Sequence, residues 1–66
     1  MQIVFNGERV EVVPDTTLKE FLESRGIPSK GSAAACDEVI VPKSQWDSFL
    51  LKDGVKLDVF NLVAGG

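Results

Sequence analysis

The sequence predicts a small α+β domain, a mixed sheet with one main helix across one face. Three observations carry that prediction. Residues 2–6 are β-branched and aromatic and residues 8–13 alternate on the other side of Asn6-Gly7, residues 17–28 hold one helical stripe with start and stop signals, and residues 55–63 form a strongly β-prone closing run.

Gln2-Ile3-Val4-Phe5-Asn6 is β-branched and aromatic, with Ile3 and Phe5 on one face. Asn6-Gly7 then marks a hairpin, because a type I′ turn requires positive φ at both central residues. Glu8 to Val13 alternates, Val10 and Val12 opposing Arg9 and Glu11, and Pro14 closes the strand by withholding a ladder donor. Thr17-Leu18-Lys19-Glu20 fits a capping box. Leu18, Phe21, Leu22 and Arg25 follow at helical spacing as a core-facing stripe. Gly26 suits the left-handed residue after the last turn, and Pro28 blocks continuation.

Ser29 to Ser32 is expected to be a polar connection, and Ala33 to Cys36 a short strand whose small side chains let backbone pack closely. Val39-Ile40-Val41 is a compact apolar run between Asp37-Glu38 and Pro42. Lys43-Ser44-Gln45-Trp46 suits one helical turn that drops Trp46 against the domain, and Lys52-Asp53-Gly54 is a turn. The final strand, Val55 to Val63, needs a neighbour. Parallel pairing with the first strand would lay the helix across one face as part of the crossover.

Sixty-six residues make one domain with a small core, worth about 3–5 kcal/mol without staples. With 44% hydrophobic and 26% charged residues the chain has a globular composition. A net charge of −3 opposes nucleic-acid binding, since phosphates would be repelled. Cys36 is the single cysteine, which excludes an internal disulfide and suits a reducing cytoplasm; its ordinary role is that of a small buried hydrophobe. With no histidine and no second cysteine, the usual zinc and Cys–His sets are missing. No signal peptide and no membrane span are expected.

The chain closes on Val63-Ala64-Gly65-Gly66. A diglycine reaches backbone angles closed to other residues and fits a narrow channel. The expectation is a domain over residues 1–62 and a flexible tail over 63–66, with the Gly66 carboxylate presented to an activating enzyme.

The Met1-Gln2-Ile3 start, Asn6-Gly7, Thr17-Leu18 leading into Phe21-Leu22, Ile40-Val41-Pro42-Lys43, Trp46, Asp53-Gly54 and the Val63-Ala64-Gly65-Gly66 close together resemble the ThiS family of sulfur carriers in thiamine biosynthesis. The resemblance runs nearly end to end. Departures sit at Asp37, Cys36, Lys43 and Val55, where the family commonly has Asn, an aliphatic, Arg and Asp; they touch packing and turns, not the tail. The resemblance implies a β-grasp, ubiquitin-like fold and a protein co-substrate in place of an enzyme. On that resemblance no bound cofactor is expected, and ATP would be consumed by a ThiF-like adenylyltransferase that activates Gly66. The resemblance further implies that a sulfur donor such as a cysteine desulfurase would supply the thiocarboxylate sulfur and that a ThiG-like thiazole synthase would receive it. Gly65 and Ala64 are the expected tail contacts, and a monomer is expected when free.

For docking, if Ile3, Phe5, Leu57 and Val59 face the helix, alternation turns Val4, Phe60 and Leu62 to the other face. That set either forms a partner patch beside the tail or simply covers the sheet and the turn around Trp46. Asp53 and Asp58 are further candidates for a basic partner groove. Other readings are a MoaD-type carrier for molybdopterin synthesis, a protein modifier, and a plain ubiquitin-like interaction module.

Overall fold

Asn6 and Gly7 both take positive φ, 47° and 86°, as the type I′ turn requires. They join β1 (Gln2–Phe5) to β2 (Glu8–Glu11) in an antiparallel hairpin with Phe5 opposite Glu8. The second strand was expected to reach Val13. It ends at Glu11, although the Val12 amide still donates to the Met1 carbonyl at 2.8 Å. Val13, just before Pro14, is exposed. The computed structural model describes residues 1–61.

The helix α1 (Leu18–Ser24) starts at the predicted capping box. The Glu20 amide donates to Thr17 Oγ1 at 3.1 Å and the Thr17 amide to Glu20 Oε1 at 3.0 Å. It stops at Gly26, whose φ of +72° lets the Gly26 amide reach the Glu23 carbonyl and the Ile27 amide the Leu22 carbonyl. This paired closure is a Schellman motif. Leu18, Phe21 and Leu22 are buried against the sheet. Arg25, the fourth stripe position, is exposed and joins the core only through its guanidinium. That group lies 5.6 Å and 5.3 Å from the Phe5 and Phe21 ring centres, a cation–π arrangement.

Beyond α1 come β3 (Ser32–Cys36), β4 (Val39–Val41), a 3₁₀ turn (Lys43–Gln45) and β5 (Lys56–Asn61). Ser32, expected in the connection, begins β3 and is buried opposite Asn61. Its small side chain fits an inward position there. Asp37 and Glu38 form a second two-residue hairpin turn, both at positive φ (50° and 70°), which pairs β3 with β4. Trp46 is buried as expected and donates its indole N–H to the Val41 carbonyl at 2.9 Å.

The sheet order is β2-β1-β5-β3-β4. The closing strand is therefore central, parallel to β1 and antiparallel to β3, as the predicted pairing with the first strand requires. It starts at Lys56, one residue later than predicted, and residues 62 and 63 of the expected strand lie outside the described residues. Ile3, Leu57, Ala34, Cys36 and Val41 turn inward to join Leu18, Leu22 and Trp46 in one core. No helix among the described residues is long and apolar enough to cross a membrane.

Candidate docking face and the approach to the C-terminal residues

β5 runs toward the C-terminal residues from the middle of the sheet, held on both sides. Beyond Phe5 the chain turns away, so β1 pairs directly with β5 only at Val4↔Lys56 and Phe5↔Leu57. Asn6 extends that edge. Its amide donates to the Leu57 carbonyl at 2.9 Å, and its side-chain Oδ1 accepts from the Val59 amide at 2.8 Å. A side-chain carbonyl thus replaces the next backbone carbonyl that β1 does not supply. On the other side β3 pairs with β5 out to Ser32↔Asn61. The segment entering the diglycine tail is thereby fixed in direction as far as Asn61.

Residues paired across neighbouring strands share a face, and α1 covers only one. Ile3, Phe5, Leu57 and Val59 belong to or pack against the core, as expected. Val4 and Phe60 lie on the open face. They are not neighbours, however: Val4 pairs with Lys56, four residues before Phe60, which is about 13 Å along an extended strand. Lys56 and Asp58 occupy the space between, with Nζ and Oδ2 4.0 Å apart. Trp46 is buried in the core on the helix side, so its turn does not cover the open face.

Phe60, half exposed, pairs across β3 with Ala33. Ala35 pairs with Asp58 on one side and with Ile40 on the other. Phe60 and Ile40, the latter 60% exposed, therefore flank a shallow floor of two alanines. Sequence reasoning missed Ile40, because it read residues 39–41 as a single apolar run. Recognising Asp37-Glu38 as a two-residue turn would have paired Ile40 with Ala35 and turned it to the same face as that alanine.

Asp53 and Asp58 have local partners. Asp53 Oδ1 accepts from the Gln2 amide at 3.0 Å, tying the 52–54 turn to β1. Cys36 is buried, and its thiol is pushed up to about 11 by desolvation first and then by Asp37 and Asp58. A thiol so held is a poor nucleophile near neutrality. Leu62, Ala64, Gly65 and Gly66 lie outside the described residues.

A five-stranded mixed sheet with one helix on one face, whose central closing strand leads to the C-terminal residues, defines a β-grasp domain of the ubiquitin-like kind. Over 100% of its length the chain matches the crystal structure of a thiamine biosynthesis protein (ThiS) from Geobacter metallireducens, with a TM-score of 0.85 and 17% identity, and covers 100% of that chain. A solution structure of a thiamine biosynthesis protein from the same organism matches with a TM-score of 0.78 and 17% identity, with 88% of its chain covered. The family profile described as the ThiS family matches residues 3–66. The sulfur carrier protein ThiS of Escherichia coli is 35% identical over 66 residues, 100% of both chains. A thiazole synthase of Paramagnetospirillum magneticum is 32% identical over 66 residues, which make up 20% of that longer protein. The chain belongs to the ThiS family.

Proposed function

We propose that this chain is a sulfur carrier of thiamine biosynthesis whose Gly66 carboxylate carries the sulfur. The observation that bears most weight is the end-to-end match to the family, which runs through Gly65 and Gly66. The fold supports it, because β5, paired on both sides in the middle of the sheet, leads the chain toward that terminus.

The chemistry follows from the terminal group. A carboxylate is a poor acyl donor because its leaving group is oxide. In the proposed sequence a Gly66 oxygen attacks the α-phosphorus of ATP on an adenylyltransferase, pyrophosphate leaves, and an acyl-adenylate forms. Persulfide sulfur from a donor enzyme attacks the carbonyl carbon and AMP leaves. A second thiol then cleaves the remaining sulfur–sulfur bond and frees the thiocarboxylate. The chain is the substrate of these steps and catalyses none of them. A thiazole synthase is the proposed acceptor, in line with the name of the longer relative. Domain 1–62 with tail 63–66 is the proposed division, and a reducing cytoplasm, where Cys36 stays a thiol, is the proposed setting.

Gly65 and Ala64 are proposed to line the passage into partner channels, where a side chain at residue 65 would clash. Gly65→Val is expected to abolish adenylation while leaving the fold intact, and normal adenylation of the variant refutes the steric argument. Val4, Phe60 and Leu62 remain the proposed docking set, now with Ile40 on the open face that Val4 and Phe60 share. The central test is the intact-protein mass after incubation with ATP, adenylyltransferase and a sulfur source. The expected result is one oxygen replaced by sulfur, absent when Gly66 is deleted. An unchanged mass, with the partner active on its own carrier, overturns the proposal.

A further inference from the structure

A groove of about 510 Å³ opens between α1, the 27–30 segment and the turn at 43–47. Its accessible apolar surface is the wall formed by half-buried Ile27 and exposed Pro28, backed by Leu22 and Trp46, which are buried beneath it. Around it stand Lys19, Lys30 and Lys43, three of the chain's five lysines. All three are exposed, and neither ion pair of the described residues involves them. Glu23 and Asp47 share the rim and leave the groove with one net positive charge, on a chain whose net charge is −3. The local sign is thus opposite to that of the molecule.

We infer that this groove is a docking site for an acidic peptide segment of a second protein, one that places carboxylates against the lysines and an apolar side chain against the Ile27–Pro28 wall. Charge complementarity selects the occupant. Three ammonium groups with no ion pair among the described residues, set around an apolar wall, attract acid-flanked apolar side chains and repel basic ones, while Glu23 and Asp47 disfavour a uniformly acidic stretch and so fix register. The volume suits one or two side chains, within the usual range of binding clefts. Among the described residues no lining residue belongs to a strand, so a partner on the open sheet face leaves the groove uncovered. The inference stands independently of the sulfur-carrier reading, since it requires neither the tail nor its chemistry.

The test is a titration of isotope-labelled protein with a blocked peptide of alternating glutamate and leucine, followed by NMR at low and high salt. The expected result is saturable shifts at the Trp46 indole N–H and the Ile27 amide, weakened by salt. Affinity falls about tenfold or more in a K19Q/K30Q/K43Q variant, in line with the loss of several charge contacts. The three lysines are exposed, so the variant is expected to melt as the parent does; K52Q, outside the groove, keeps the parent's affinity. Four results overturn the inference: no saturable shift, equal affinity in the triple variant, equal loss in K52Q, or equal binding of the peptide with glutamine in place of glutamate. Inorganic phosphate reproducing the same shifts also overturns it, because that outcome assigns the groove to simple anions.

Discussion

Thr17 starts α1 with two groups at once: its hydroxyl takes the Glu20 amide, while its own amide is held by the Glu20 carboxylate. A seven-residue helix has little intrinsic stability, so its ends matter. Thr17→Ala is expected to cost about 1 kcal/mol in a urea unfolding experiment, and Thr17→Ser to recover most of it. Glu20 titrates below its ordinary 4.5, chiefly through the Thr17 amide and then the Thr17 hydroxyl. A lowered folded-state value gives stability that is present above the unfolded value and disappears as pH falls through the folded one. The stability difference between the parent and Glu20→Gln should therefore shrink in acid and be constant near neutrality. Cys36 has the opposite sign. Its raised value gives stability that is full below about pH 9, the ordinary thiol value, and is lost as pH rises through about 11. Native Cys36 should react with a thiol reagent far more slowly than the urea-unfolded chain. Equal rates would show the thiol to be accessible.

At the scale of elements, the turn between β3 and β4 carries the most instructive strain. Glu38 sits at φ 70°, a region that costs a residue with a Cβ about 1 kcal/mol or more, whereas glycine enters it freely but loses more chain entropy on folding. Glu38→Gly is therefore expected to stabilise the domain by up to about 1 kcal/mol in thermal melts, and a loss of stability would mean that the Glu38 side chain serves the turn. Asp37 should not be changed with it, because its Oδ1 accepts from the Lys56 amide at 3.1 Å and holds the start of β5. This turn also marks where the sequence stops being legible. The first hairpin could be read because Asn6-Gly7 satisfies its backbone requirement locally, and α1 because the cap, stripe and Gly26 all agree. Asp37-Glu38 carries no such local signal. Its positive φ values are imposed by pairing β3 with β4 and by the bonds Asp37 makes to Lys56, which are tertiary facts. The alternation in β5 correctly turned Phe60 outward, but the distance between Phe60 and Val4 depends on how far β1 runs beside β5. Only the register supplies that.

Across the whole molecule, the open face presents Phe60 and Ile40 around two alanines, with the Lys56–Asp58 pair separating them from Val4. If docking follows that geometry, Phe60→Asp and Ile40→Asp should each weaken adenylyltransferase binding by tenfold or more (at least about 1.4 kcal/mol). Val4→Asp should do so less, because Val4 lies beyond the ion pair. Equal losses at all three positions in folded variants would show a patch spanning the full sheet. Unchanged binding for Phe60→Asp would remove the open face from docking. The position of β5 has a mechanical consequence as well. Because β1 and β5 run side by side in the same direction, a pull on the C-terminal residues against the start of the chain loads their shared bonds lengthwise. Those bonds must break together instead of unzipping in sequence, and the Asn6 side chain adds one more at the loaded end. A partner that draws the tail into a channel, or a protease that drags on it, works against the strongest direction of the domain.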